Sequence, residues 1–195
     1  MIDLSEILLD DVQPAVLDFG GTLKPALGGA WQRIMRIGTR WAFTMQTPKL
    51  DAEPDLRIWS SRLAQAKLET GLVWIPEPDL VFGPEGAPRV AQAVNGGTSL
   101  PLSGLTPGLV VPEGKWLSII HDGRRYVYRV ARDVAATAGG TVTLPIYPLL
   151  RTRLAAGDVV ELARPKVQGE IDGDFSWNVP VGRSAPLSFT IAEEE

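Results

Sequence analysis

"WLSIIHDGRRYVYRV", residues 116–130, is two short apolar-alternating runs joined by Asp122-Gly123. Asp-Gly between such runs marks a two-residue type I′ turn, because both central positions need positive φ and these residue types adopt it at least cost. The turn sets the register. Ile119 is expected opposite Tyr126 and Leu117 opposite Tyr128 on one side, with Val130 following, while Ile120 opposes Arg125 and Trp116 opposes Arg129 on the other. The hairpin thus has one apolar and one mixed face. His121, the one histidine of the chain, is expected at a solvated tip beside Arg124, where neither desolvation nor an orienting partner equips it as a general base.

The same punctuation extends outward. Gly 20 and Pro 16 are spread along the whole length, as in a chain of many short strands. Residues 141–146 and 159–162 continue the pattern beyond the hairpin, separated by GG and AAGD, and together these strands predict a small barrel. Residues 90–112 carry no charge and are long enough to cross a bilayer. Asn95, Gly96, Gly97, Thr98, Ser99 and the prolines rule out a spanning helix, so the stretch is expected to form loops and short strands lying against other protein. No membrane insertion is expected.

Upstream, residues 31–45 alternate with a period of two, which predicts a long half-buried strand or strand pair with Gly38 as a bulge. One helix stands out. Pro54 suits its first turn, Leu56, Trp59, Leu63 and Ala66 share one face to pack on a sheet, and Gly71 offers a stop. A strand over residues 72–75 precedes PEPDLVFGPEGAP, residues 76–88, which has the composition of a boundary. Near the end Phe175, Trp177, Val179 and Val181 alternate, as do Leu187, Phe189 and Ile191, and both runs are expected in one sheet with residues 31–45. The fold class is therefore mostly β: a discontinuous sandwich- or barrel-type domain over residues 1–87 and 167–195, with one flanking α-helix, and an inserted small β-barrel over residues 88–166. AEEE, residues 192–195, is expected to be a solvated end.

Composition narrows the function. A globule of 195 residues buries roughly 70% of its unfolded surface and folds without staples. The absence of cysteine excludes disulfides and thiolate metal sites and favours a reducing compartment. A net charge of −4 has the wrong sign for gripping phosphate backbones, so sequence-specific nucleic-acid binding is not expected. The start, MIDLSEILLDD, is acidic where an export signal is basic. No catalytic, cofactor-binding or metal-ligating residues are expected. One histidine is too few for an imidazole site; Glu170, Asp172 and Asp174 lack the spacing of a calcium loop and suit a surface turn; GGTLKP at residues 20–25 lacks that of a phosphate loop; and no G-x-S-x-G elbow occurs. Of the six tryptophans, Trp41, Trp59 and Trp177 occupy apolar phases and are expected in the core. Trp116 lies on the mixed face, either packed in the core or at an edge, or exposed as a contact; exposed, it would be the platform of a carbohydrate-binding module.

The succession of segments carries a further signal. "RIGTRWAFTMQTP", a helix with "WSSRLAQAK", then "GGTSLPLSGLTPG", "GKWLSI", "RRYVYRV", "GGTVTLPIYPLLR", "AAGDVVELARP" and the closing "FSWNVPVG" and "PLSFTIAEEE" together resemble the distal tail proteins of long-tailed phages and of phage-like gene transfer agents. The resemblance covers nearly the whole chain. It implies a structural virion protein of the tail tip: a homohexameric ring between the tail tube protein and the tail hub protein, with the tape measure protein as a further partner and DNA passing through the lumen. Some relatives add a sugar-binding module after the ring domain; the sequence stops at Glu195, which leaves the inserted block as the expected place for any receptor contact, or else as a decoration on the outside of the ring. Ring closure needs two different patches on each subunit. Ile7, Leu9, Val16 and Phe19 are expected to supply one by reaching onto a neighbour, or else to form an ordinary edge strand of their own subunit.

Overall fold

The Asp122-Gly123 turn forms, with φ of 48° and 78° at its two central residues. The register it dictates is the observed one: Leu117 opposes Tyr128, Ile119 opposes Tyr126 and Trp116 opposes Arg129. The structure, a computed structural model, describes residues 1–173, 175–178 and 184–194. In it the chain is mostly β, with one α-helix among the described residues.

The hairpin strands Trp116–His121 and Arg124–Val130 belong to a closed six-stranded barrel. Val142–Tyr147, Ser99–Leu105, Gly86–Val90 and Val159–Glu161 follow in order round the wall, the last pairing back onto Trp116–His121. Alternate side chains point inward, so Leu100, Leu102, Leu117, Ile119, Tyr128 and Leu144 fill the interior. The uncharged stretch before Pro112 is explained by this burial: Leu100, Leu102 and Leu105 are in the barrel core. Among the described residues no helix is long and apolar enough to cross a membrane.

A six-stranded sheet lies beside the barrel in the order Ile2–Asp3, Gly71–Trp74, Lys166–Asp172, Ser188–Glu193, Arg40–Gln46, Asp11–Leu17. Its two faces are sorted by cross-strand rows. Pro14, Phe43, Ile191 and Ile171 form one row, and Val12, Met45 and Phe189 another, on the face that contributes to the core. Gln13, Thr44, Thr190 and Asp172 form a row on the opposite, polar face, where the Thr44 and Thr190 hydroxyls are 3.0 Å apart.

The helix, Arg57–Leu68, covers part of the core face through the buried Leu63 and Ala66. Pro54 does not open it. Residues 52–56 make a separate turn in which Glu53 is extended (φ −130°, ψ 130°), and the Arg57 Nε–H donates back to Glu53 at 2.7 Å. Gly71 is not its stop either: the helix ends at Leu68, and Gly71 starts the next strand opposite Ile2.

Two strand expectations are corrected. Residues 31–45 are not one strand: Arg40–Gln46 lies in the sheet, Gln32–Ile34 pairs with Gly21–Leu23 in a separate hairpin, and Gly38 sits in the turn between them. Large residues alternate there without burial. Phe175 and Trp177 form no strand; their rings stack at 5.2 Å with Trp177 on the surface, while Val179 and Val181 lie outside the described residues. Glu170 and Asp172 stand exposed on the strand Lys166–Asp172 rather than in a turn, and Asp174 lies outside the described residues.

The strand Lys166–Asp172 is central, and at Gly169 it passes so close to its neighbour that an added Cβ would fall 1.9 Å from the Ala192 carbonyl oxygen. A side chain there forces the two strands apart. Gly169→Ala is expected to lower unfolding stability by about 3 kcal/mol in urea titration; a variant within about 0.5 kcal/mol of the parent would contradict this packing.

Candidate functional site

Where the barrel meets the sheet, the two bodies share side chains. Trp116 is buried, its ring edge-on to Trp41 at 4.6 Å and to Phe43 at 5.2 Å, with the Arg129 guanidinium 4.8 Å from its centroid. The mixed face of the hairpin is thus covered by the sheet. Trp116 is therefore not an exposed platform: the sheet, a partner too distant in sequence to infer from the hairpin, covers it and leaves only an edge in an adjoining groove.

The terminal acidic run is likewise not solvated throughout. Glu193 is 2% exposed. Its carboxylate accepts the Trp41 N–H at 2.8 Å, from the sheet, and the Val127 N–H at 2.7 Å, from the barrel, and it is ion-paired with Arg151. The reason lies in the barrel wall: Arg124–Val130 pairs with Val142–Tyr147 only at Arg129 and Val130. Ahead of those residues its outward N–H groups need other acceptors. Val127 finds Glu193, and Arg125 finds the Gln168 side chain at 3.2 Å. Burial pushes the Glu193 carboxyl above the usual carboxylate range, against the pull of Arg151 and the two N–H donors. Tyr128 completes the cluster by accepting the Arg151 N–H at 3.0 Å, and burial pushes its phenol up to about 12.

His121 is a second correction. It sits at the hairpin tip as the turn requires, but its side chain is mostly buried and its Nδ1 lies 2.8 Å from Asp158 Oδ2, which also accepts the Ala155 N–H at 2.8 Å. The pair clamps the loop before Val159–Glu161 to the hairpin. Among the described residues no three His, Asp or Glu side chains stand close enough to hold a metal.

The remaining candidates lie at the outer edge of the sheet. Asp11–Leu17 is its last strand, paired along its length with Arg40–Gln46 of the same chain. Ile7 is buried in the chain's own core and cannot be offered to a neighbour; Leu9 is half-buried against that core; Val16 and Phe19 are about half exposed. Sequence reasoning missed the larger feature beside them. At the far end of this strand the hairpin of Gly21–Leu23 and Gln32–Ile34 projects as an arm. Leu23, Leu27, Trp31, Ile34, Met35 and Ile37 along it are each between 39% and 99% exposed. Asp18 anchors its base by accepting from Gly20 N–H at 2.8 Å and pairing with Arg33, contacts that hold its carboxyl below the usual range. Lys24 lies over the Trp31 ring at 4.3 Å. The signal is the unusual density of large apolar residues among glycines, GGTLKPALGGAWQRIMRIG, of which only the part from Trp31 onward shows strand alternation.

At the near end of the same strand is a groove of about 560 Å³. Val12, Pro14, Phe43, Trp74, Pro76 and Trp116 line it, with Asp10, Asp11 and Glu77 at its polar side. Glu77 is engaged there, pairing with the buried Lys115 and accepting the Trp116 N–H at 2.9 Å. No protein-family model matches the chain, and no curated protein is significantly similar to it.

Two outcomes test the seam. Glu193→Ala strands the buried Arg151 and two N–H donors, and is expected to lower unfolding stability by about 4 kcal/mol in denaturant titration. Tyr128 gives a pH signature. Its phenol ionises near 10 when unfolded and near 12 when folded, so its contribution is complete below pH 10 and is lost as pH rises toward 12. Tyr128→Phe is expected to be less stable by about 1 kcal/mol at pH 7, through the unpaired Arg151 N–H, yet to lose about 2–3 kcal/mol less than the parent between pH 9 and 12. Parallel pH profiles of the two proteins would contradict this assignment.

Proposed function

We propose that the chain is a structural, non-catalytic subunit of a phage-type tail tip, assembled in the host cytoplasm as a homohexameric ring. The ring joins the tail tube protein to the tail hub protein, with the tape measure protein as a further contact and DNA passing through the lumen. The observation that carries this proposal is the uncovered apolar arm at the end of an edge strand. A monomer rarely leaves a contiguous apolar surface of this kind in water, so the arm favours assembly with another chain. Which assembly is suggested by the order of segments that resembles the distal tail proteins.

The sheet supplies a second line of support. Its uncovered face presents Gln13, Thr44, Gln46, Thr190, Glu170 and Asp172, with Arg40 and Lys67 beside the two acids. Amides and hydroxyls hold phosphates less firmly than basic side chains do and carboxylates repel them, so a face on which they predominate suits a channel through which DNA must slide. The alternative of a carbohydrate-binding module rested on an exposed Trp116 and draws no support from a ring buried between barrel and sheet.

The test is the symmetry of the assembled protein. Native mass spectrometry and negative-stain imaging, alone and with the tube protein, are expected to give closed six-membered rings. A chain that stays single in both preparations and within its native particle would overturn the proposal.

A further inference from the structure

We infer that the arm of one copy docks in the groove of the next, so that one head-to-tail contact closes the ring. This rests on the proposed ring and adds its contact residues. The occupant of the groove is a second copy of this chain, as three features indicate.

Charge is the first. Residues 19–39 contain Lys24, Arg33 and Arg36 and no acidic residue, and since Arg33 pairs with Asp18 at the base, Lys24 and Arg36 carry the excess positive charge. The groove carries Asp10, Asp11 and Glu77 at its side, and since Glu77 pairs with Lys115, Asp10 and Asp11 carry the excess negative charge. The arm is a cationic strip in a chain of net charge −4, and its complement lies on the same molecule.

Surface chemistry is the second. The groove is floored by aromatic rings and prolines, which receive flat or branched apolar groups, and the arm exposes Trp31, Leu27 and Met35. Lys24 stacked on Trp31 brings a cation alongside the apolar strip, matching the arrangement of Asp11 beside Val12 and Pro14 in the groove.

Placement is the third. The groove takes in Asp10 to Pro14, the first half of Asp11–Leu17, and the arm follows the other end of this seven-residue strand, which is roughly 20 Å long at about 3.3 Å per residue. Two different patches at opposite ends of one rigid strand make a heterologous contact, the kind that generates rings when the rotation closes.

Charge reversal tests the pairing. Lys24, Arg36, Asp10 and Asp11 are all exposed, so their substitution leaves the fold intact, which circular dichroism checks. Lys24→Glu with Arg36→Glu, and separately Asp10→Lys with Asp11→Lys, are each expected to weaken self-assembly at least ~10-fold by native mass spectrometry over a concentration series. All four together are expected to restore it to within about threefold of the parent. Rings that persist in the arm variant overturn the inference and leave the proposed ring standing, since another face then closes it. Loss in both variants without rescue in the combined protein also overturns the inference, because the patches then act separately. A parent chain that never self-associates overturns inference and proposed function together.

Discussion

A single buried carboxylate, that of Glu193, joins the two halves of this molecule. It takes one backbone N–H from the sheet and one from the barrel and meets Arg151 from the loop beyond Val142–Tyr147. Isolated, an ion taken out of water costs several kcal/mol, and only dense hydrogen bonding offsets that cost. Here the bonding is dense because a barrel strand leaves its barrel neighbour half-way along and turns its unpaired N–H groups toward the sheet. The geometry of that strand and the burial of the acid require each other. Gly169, directly opposite Glu193, lets the sheet close up at this level.

Around that bond the surfaces are divided by use. The apolar face of the sheet is taken up by the helix and by Trp116, which wedges against Trp41 and Phe43. What remains outside is a polar face, an edge strand, an arm and a groove. The arm contributes to neither core, so its apolar content is unexplained by the stability of the single chain. Under the proposed assembly all four would find a use: the polar face toward the channel, the edge strand as spacer, the arm and groove as contact.

The local parts of the fold were legible in the sequence. Asp122-Gly123 fixed the hairpin register residue for residue because a two-residue turn leaves no freedom in pairing, and the spacing of Leu63 and Ala66 marked the buried side of the helix. Long-range partners were not legible. The burial of Trp116, the pairing of His121 with Asp158 and the bonding of Glu193 to Val127 join residues far apart in the chain, and no pattern within a segment encodes them. Alternation reports that two faces differ. It does not report which one another element covers, and so the second half of the arm, alternating but uncovered, looks in sequence like a continuation of Arg40–Gln46.

The barrel leaves and rejoins the sheet at one point. Trp74 and Lys166 are cross-strand partners, and the Ile75 N–H donates to the Pro165 carbonyl at 2.9 Å. Everything between them is thus an excursion that starts and finishes at the same spot, and its length adds little to the entropy of forming the sheet. The junction acts as a socket: a different module with adjacent ends can be exchanged there without redesigning the scaffold, provided it brings its own stopper for the aromatic hollow and its own donor for the acid.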